Sequence, residues 1–381
     1  HFRDRTLGAA VLGLGRIGPN HANIVSSADG VELRAVADVD EAKLGGVLDS
    51  HQGAVGYGDY RDALKRDDVD VVVICLPHWM HAESVIAAAE AGKHILVEKP
   101  LADTVEECDR IIEAAVRNNV TLMPAHTQRY YPVVKKTKEI LDSGELGDPI
   151  MAVDMWYKPL NPDSRPKWML DRQTGGGMAL MDGVHMIDRM LWLFGPDVHS
   201  IKAMVGNPVY PEIPADDTSM GLIRWSNGLT VTVSRIAYRT GVTKYGTDIF
   251  CTEGQIKFRI AYGRHGTTGV WLGRDEAYTE IDVPQFNSLE QQFKEFVEAV
   301  NAGAEPPITA THGKQVIEIM EGMDQSSETG REVLLQGGEV DRDSERVQAA
   351  RVSTALGSRN HRGGSHIRRE APQAHDPTFG V

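Results

Sequence analysis

Two local patterns in this chain have the residue types and spacing to do chemistry. The first is Gly13-Leu14-Gly15-Arg16-Ile17-Gly18, placed directly behind the apolar run Val11-Leu12, with Asp38 twenty positions after Gly18. In a G-x-G-x-x-G turn from strand to helix, the first glycine permits the tight turn and the second lets the backbone approach a pyrophosphate. The third lets the helix pack closely on the strand, and the helix N-terminus attracts the anion. Glycine-rich turns are common, so the triplet alone decides little. Asp38 adds weight because it ends a second apolar stretch, Val31 to Ala37, where a dinucleotide fold needs a carboxylate for the ribose hydroxyls. The second pattern is Glu98-Lys99-Pro100, at the carboxyl end of the strand-like His94-Ile95-Leu96-Val97. Open parallel sheets bind ligands at that edge. Beside an oxidised nicotinamide ring a second cation is disfavoured, so the lysine pKa falls and the amine can take a hydroxyl proton, with Glu98 to orient it. The competing reading is a surface lysine in a βα loop.

The elements needed to position these residues are legible. From Ala9 to about Ala125 strand and helix alternate. Asp70 to Leu76 is a continuous β-branched run of the kind buried on both faces of a parallel sheet, and helices are expected over 81–91 and about 104–118, with a further strand at 120–124. This is the pattern of a doubly wound sheet. Past residue 150, strands at 220–225 and 229–234 flank Ser226-Asn227-Gly228, a hairpin signal, and more strands are expected at 247–253 and 255–260 before a helix at about 288–302. The fold class is therefore α/β: an N-terminal Rossmann doubly wound parallel sheet over 7–126 and a C-terminal α/β domain over 127–335 with a large open, mainly antiparallel sheet. Residues 336–381 lack aromatic and aliphatic clusters and suit a disordered tail.

Composition narrows the partners. The chain has 381 residues and a formal net charge of −14, which disfavours nucleic acid and anionic membranes. Cys75, Cys108 and Cys251 are far apart and form no C-x-x-C pair, so neither a disulfide framework nor a thiolate zinc site is expected, and the cytoplasm is the natural compartment. No apolar run is long enough to span a bilayer.

Several motifs together resemble a known family. They are the glycine run with His21, Leu76-Pro77 with His81, Gly92 to Ala102 with Glu98-Lys99-Pro100 inside it, and Gly175-Gly176-Gly177 followed by Gly183-Val184-His185-Met186-Ile187-Asp188. From about residue 8 to 335 the chain is similar to the glucose–fructose oxidoreductase/inositol dehydrogenase/rhizopine catabolism (Gfo/Idh/MocA) family. The resemblance implies a nicotinamide cofactor, a homodimer or homotetramer built on the second sheet, and chemistry at a secondary alcohol of a sugar, cyclitol or related ring. It makes Lys99 and His185 the catalytic pair and places Gly13, Gly15, Arg16, Ile17, Gly18, Asp38, Leu76, Pro77, His81, Glu98, Lys99, Pro100 and His126 around the cofactor. One departure stands out. The family commonly carries an Asp four residues before the histidine, where this chain has Met181; its carboxylate is Asp182, three before. Asp182 either replaces that acid with altered aim or only favours a helix start.

Other candidates have two readings each. Arg129, with Tyr130 and Tyr131, either faces the substrate or packs at the domain junction. Trp156, Tyr157, Lys158 and Trp168 could wall a ring-binding site, and Lys99 and His185 would touch the same ring. His126 contacts cofactor or substrate, and Asp188 is expected to bond to the backbone or to Arg189. His78 and His81 have metal-like spacing, but no metal is expected. The expected activity is that of an NAD-dependent oxidoreductase moving hydride between nicotinamide and a cyclic alcohol or ketone. NAD is favoured over NADP because Asp38, Asp40 and Glu41 would repel a 2′-phosphate, with Arg16 the only nearby cation in sequence. The alternatives are an NAD-retaining enzyme that cleaves glycosides by oxidation, elimination and reduction, an aromatic dihydrodiol dehydrogenase, and a non-catalytic NAD-binding regulatory protein.

Overall fold

A computed structural model describes residues 6–261 and 267–335; the expected disordered tail at 336–381 lies outside the described residues. In chain order the first sheet uses β1 (Leu7–Leu12), β2 (Val31–Ala37), β3 (Val55–Tyr57), β4 (Val71–Ile74), β5 (His94–Glu98) and β6 (Leu122–Ala125), with helices α1 (Gly18–Ser27), α2 (Glu41–Leu48), α3 (Tyr60–Leu64), α4 (His81–Glu90) and α5 (Val105–Arg117) between them. The strands are all parallel, in the order β3-β2-β1-β4-β5-β6. That order reverses between β1 and β4, the switch point where a doubly wound sheet opens a crevice for its ligand. Every residue of β1 and β4 is buried, as an apolar run without alternation requires.

The three glycines of the run meet the needs that their spacing implies, two by close backbone contact and one by open space. Gly13 has φ +94°, and a Cβ there would lie 2.6 Å from the Cys75 carbonyl oxygen. A Cβ on Gly18 would sit 2.0 Å from the Gly13 carbonyl oxygen, whereas one on Gly15 would meet open space. Two of the glycines are thus required by the protein itself, and the middle one leaves room at the crevice.

After α6 (Pro132–Asp142) the second sheet begins with β7 (Pro149–Pro159). It continues through α7 (Val184–Phe194), β8 (Val198–Gly206), β9 (Thr218–Trp225), β10 (Thr230–Tyr238), β11 (Lys244–Cys251), β12 (Gly254–Arg259), β13 (Gly269–Arg274) and β14 (Ala277–Ile281). The helices α8 (Ser288–Ala302) and α9 (Ala310–Thr329) precede a short β15 (Val333–Leu334). The order is β14-β13-β12-β11-β7-β10-β9-β8-β15. Among the described residues β7 and β10 pair in parallel and the other neighbours antiparallel, so the sheet is mixed but mainly antiparallel. The Asn227-Gly228 hairpin joins β9 to β10, with Gly228 at φ +93°.

Strand alternation then decides which side chains reach the interior. On β10 the inward positions are Val231, Val233, Arg235 and Ala237, and on β7 they are Ala152, Asp154, Trp156 and Lys158, all buried. The opposite face leaves Met151, Met204, Met220 and Leu222 exposed. Helix α8 returns to the first sheet, where Phe293, Phe296, Val297 and Val300 share a core with Val71, Val73, Leu96 and Met123. The described residues of the chain up to Leu335 fall within one compact unit.

Replacing Gly18 with Ala puts a methyl group against an immovable backbone carbonyl. Denaturant unfolding should show a loss of about 1–3 kcal/mol, the usual range for overpacking, together with weaker dinucleotide binding; an unchanged midpoint would remove the packing role.

Candidate active site

The crevice at β1 and β4 is prepared for an anion. Helix α1 starts after Ile17 with no side-chain cap, whereas Asp40, Thr104, Asn287 and Thr309 cap α2, α5, α8 and α9 with their side chains. The Gly18 N–H at its start, the open space at Gly15 and the exposed Arg16 fit a pyrophosphate at the positive helix end, Pro19 having no N–H and Asn20 and His21 donating to the Ile17 carbonyl oxygen. Asp38 accepts the Leu14 N–H at 2.6 Å on one oxygen and the Asp40 N–H at 2.9 Å on the other. Each oxygen has a further lone pair, so the carboxylate is pinned to the glycine loop and can still accept ribose hydroxyls. Leu76 and Pro77 follow β4 across the crevice. His81 has Nε2 3.0 Å from the Leu76 carbonyl oxygen and Nδ1 2.7 Å from that of Pro100. The imidazole therefore ties together the loops after β4 and β5 and shapes the crevice, instead of presenting a free nitrogen to it.

Lys99 leaves the end of β5 and donates from Nζ to the Met181 carbonyl oxygen at 2.6 Å. Burial, first of all, pulls its pKa below the ordinary lysine value, against the opposing pull of Glu98 and Asp182. Glu98 does not grip the amine as expected. Its oxygens take the His21 imidazole at 2.9 Å and the backbone N–H of Lys99 at 3.2 Å, so it fixes the strand end.

The Met181 carbonyl belongs to a single π-helical turn, Ala179–Gly183, that precedes α7. His185 sits just beyond it, half-buried, with Nδ1 unpartnered, and burial together with the nearby Lys99 and His126 holds its pKa well below the imidazole value. The ring is neutral at pH 7. His126 is fully buried with both ring nitrogens unpartnered, and burial pushes it down to about 4. An amine of lowered pKa thus lies within electrostatic reach of two neutral, buried imidazoles, His126 Nδ1 being 3.9 Å from Asp188 Oδ1, a set of groups that can accept a proton.

Asp182, in the same turn, is not a helix-start carboxylate. Its Oδ2 accepts from Arg235 Nε at 2.8 Å, Arg235 Nη2 at 2.7 Å and Lys158 Nζ at 2.7 Å. Although burial opposes ionisation, Arg235 and Lys158 hold the carboxyl well below the usual carboxylate range. Trp156 lies under both cations, its ring centre 4.5 Å from Lys158 Nζ and 5.7 Å from the Arg235 guanidinium, and stacks 4.3 Å from Tyr245 on its other flank.

Two of the expected ligand contacts, Tyr157 and Arg129, are engaged within the protein. Tyr157 lies on the face opposite Trp156 and Lys158, where its hydroxyl meets Ser234 Oγ at 2.6 Å. Arg129 is buried against Asp188 and His312, and Asp188 bonds to them and not to Arg189. Arg189 is itself engaged by Asp154 at 2.8 and 2.9 Å. Trp168 packs edge-on against His78, with ring centres 5.0 Å apart. His78 Nδ1 lies 2.8 Å from the Gly175 carbonyl oxygen, and a Cβ on Gly175 would collide with His78 and Asp103. Among the described residues no group of three or more metal-ligating side chains forms. The residue missed from sequence is Arg235; its signal was a charge on the inward parity of Val231-x-Val233-x-Arg235.

Comparison with known proteins gives the family of both sheets' domains. Residues 7–126 match the family described as "Oxidoreductase family, NAD-binding Rossmann fold", and residues 134–257 match the "GFO/IDH/MocA C-terminal domain". Among curated relatives, a D-xylose 1-dehydrogenase [NADP(+)] of Haloarcula marismortui is 26% identical, over 82% of this chain and 88% of its own. An inositol 2-dehydrogenase of Salmonella typhimurium is 28% identical, over 79% of this chain and 88% of its own. A solved levoglucosan dehydrogenase in complex with NADH superposes with a TM-score of 0.76 at 24% identity, covering 86% of this chain and 98% of the other.

Lys99→Met should retain dinucleotide binding and lower turnover by about 10²–10⁴-fold, the range for lost acid–base catalysis. Because the lysine pKa is lowered, the wild-type kcat for alcohol oxidation should rise with pH through a limb below about 10.4, and that limb should vanish in the variant. A variant keeping more than about a tenth of wild-type turnover makes Lys99 structural. Asp182→Asn leaves buried cations uncompensated and should cost about 3–5 kcal/mol, well above the ~0.3–1 kcal/mol of a helix-start carboxylate. With its folded pKa depressed, Asp182 contributes fully above the unfolded value of about 3.9 and progressively less below it. Urea unfolding at pH 7 and pH 3 should show the variant's deficit shrinking in acid.

Proposed function

The chain belongs to the Gfo/Idh/MocA oxidoreductase family, and from that premise we propose that it is an NAD-dependent dehydrogenase interconverting a secondary alcohol and a ketone on a sugar, cyclitol or related polyol. The observation that carries this reading is Lys99 at the carboxyl end of the first sheet, its amine held at the Met181 carbonyl with a lowered pKa and within electrostatic reach of His185 and His126, beside an uncapped α1 and the open space at Gly15. The dinucleotide, when bound, supplies the two-electron acceptor or donor. Gly13, Gly15 and Gly18 with the α1 N-terminus would hold its phosphates, and Asp38 a ribose.

The residues of the chain manage the proton. Lys99, its amine held at the Met181 carbonyl and its pKa lowered by burial, takes the proton from the reacting hydroxyl in oxidation and returns it in reduction. His185, neutral and with Nδ1 open, orients the same hydroxyl and gives the proton a second acceptor. Asp182 keeps the turn that carries the Met181 carbonyl fastened to β7 and β10 through Lys158 and Arg235. Holding these groups in place before substrate arrives lowers the entropy cost of reaction.

The acidic end of β2 favours NAD. Asp38, pinned by the Leu14 and Asp40 N–H groups, would face a ribose, with Asp40 and Glu41 beyond it, and a 2′-phosphate there would meet like charge. Titration of the protein with both cofactors should give NAD an advantage above about tenfold, roughly 1.4 kcal/mol, and Asp38→Ala should narrow it. Tighter NADP binding by the wild type would overturn the assignment. A panel of sugars, cyclitols and glycosides watched at the absorbance of reduced nicotinamide tests the activity itself: net reduction with a free polyol is expected, and cofactor binding without reduction by any member would remove the dehydrogenase reading.

A further inference from the structure

Four polar side chains meet where α7, α9 and the segment after β6 join. Asp188 on α7 is fully buried, and its Oδ1 is addressed from three sides: by Arg129 Nη2, by His312 Nε2 at 2.8 Å and by His126 Nδ1 at 3.9 Å. The rings of His126 and His312 meet edge to face, with centres 6.0 Å apart. His126 is fully buried with no hydrogen bond at either ring nitrogen, an exception among buried polar groups that calls for a reason. It directly follows β6, whose Ala125 pairs with Glu98 of β5, so His126 and Lys99 leave neighbouring strand ends. At the other end of the group His312, in the first turn of α9, reaches solvent: its side chain is 19% exposed, against 0% for Asp188 and 1% for His126.

His312 Nε2 has two partners of opposite need, since Arg129 Nη2 can only donate and the Asp188 carboxylate can only accept. A ring with bare Nε2 takes the Arg129 N–H, and a ring that has received a proton there gives it to Asp188, so both states find a partner in place. Burial above all keeps His126 neutral, with His312, Arg129 and Lys99 adding to that effect and Asp188 opposing it. Once protonated, its ring is drawn across the 3.9 Å gap to Asp188. From this juxtaposition we propose that His126, Asp188 and His312 form a proton path from the end of the first sheet to solvent. The proton that it carries is the one assigned by the dehydrogenase reading, on which this part of the inference rests. In alcohol oxidation the substrate O–H bond breaks as Lys99 gains an N–H, while the two electrons of the C–H bond go to the dinucleotide. The proton then moves from Lys99 to a nitrogen of His126, which restores the neutral amine. It crosses from His126 Nδ1 to His312 Nε2 over Asp188 Oδ1, and His312 releases a proton to water. Asp188 holds it only in transit: although burial opposes ionisation, Arg129 keeps the carboxyl well below the usual carboxylate range. Reduction runs the same steps backwards.

The path is tested in the full chain at His312, because Asp188 and Arg129 are buried and their loss endangers the fold. Two measurements are made. The first needs no substrate: deuterium exchange at the imidazole C2, read by mass spectrometry across pH, gives the titration midpoint of His126. In His312→Gln, which keeps a polar group beside Arg129 but carries no titrating proton, that midpoint should rise from about 4 by roughly half a pH unit or more, since His312 no longer competes for Asp188 Oδ1. An unmoved midpoint overturns the path whatever the turnover. The second follows NAD reduction with myo-inositol and with D-xylose in weakly buffered solution. His312→Gln and His312→Ala should each lower kcat about tenfold or more, with the ~10²–10⁴-fold of lost acid–base catalysis as the upper bound because Lys99 remains. Added imidazole should restore most of the loss in His312→Ala, in a saturable way that follows the neutral form of the buffer. A merely structural His312 predicts full turnover in His312→Gln and no recovery with imidazole, and either result removes it from the path. Should neither probe reduce NAD, the dehydrogenase reading loses these substrates and the His126 midpoint alone decides: a rise keeps the path, and no rise ends it.

Discussion

One oxygen of Asp182 accepts three cationic N–H groups, and this contact fastens the π turn to the second sheet. Lys158 comes from β7 and Arg235 from β10, the parallel pair at the centre of that sheet, while Asp182 comes from the π turn that also presents the Met181 carbonyl to Lys99. A chain of direct contacts thus runs from the centre of one sheet to the end of β5 in the other. Desolvating these charges is expensive, so the arrangement is weak evidence for stability; its value lies in the single geometry it imposes. The Trp156–Tyr245 stack supports it from below, and Arg189 continues the column to Asp154 on β7.

The first sheet is governed by a different constraint, close approach of backbone to backbone. Gly13 and Gly18 are fixed by carbonyls that no side chain could move aside, which is why a local sequence pattern suffices to find them. For the same reason Asp38 and Lys99 were legible: each sits at the end of a strand whose apolar pattern is local, and the topology of a doubly wound sheet brings such ends together without further information. The hairpin at Asn227-Gly228 and the helix at Ser288–Ala302 belong to this class of short-range signals.

What sequence did not show depends on pairings far apart along the chain. Arg129 meets Asp188 and His312, the latter 183 positions away, and no local signal could have told an arginine facing ligand from one buried in an ion pair. Tyr157 and Lys158 differ by one position, but one position on a strand exchanges the outer face for the inner one, so the two could not both wall one pocket as expected. The parity was recoverable. Asp154-x-Trp156-x-Lys158 and Val231-x-Val233-x-Arg235 are inward sets, and a buried cation on such a set demands a carboxylate that the neighbouring helix must supply.

The shifted carboxylate follows from this requirement. An α-helical wheel turns a side chain by about 100° for each residue, which would aim Asp182 away from a site built for an acid one position earlier. The helix is not α there, however: the turn Ala179–Gly183 is π, and its wider i→i+5 spacing changes where each side chain and carbonyl points. In this chain the Met181 side chain packs into an apolar cluster with Leu160, Met178, Tyr210 and Ala237, while the Met181 carbonyl holds the lysine. Asp182 is thereby freed to neutralise the cations of β7 and β10. A backbone acceptor cannot be protonated and brings no full charge, so it holds Lys99 without raising its pKa as strongly as a carboxylate bonded directly to the amine would. Moving the acid by one residue leaves the amine easier to deprotonate and transfers the negative charge to a place where it organises the sheet.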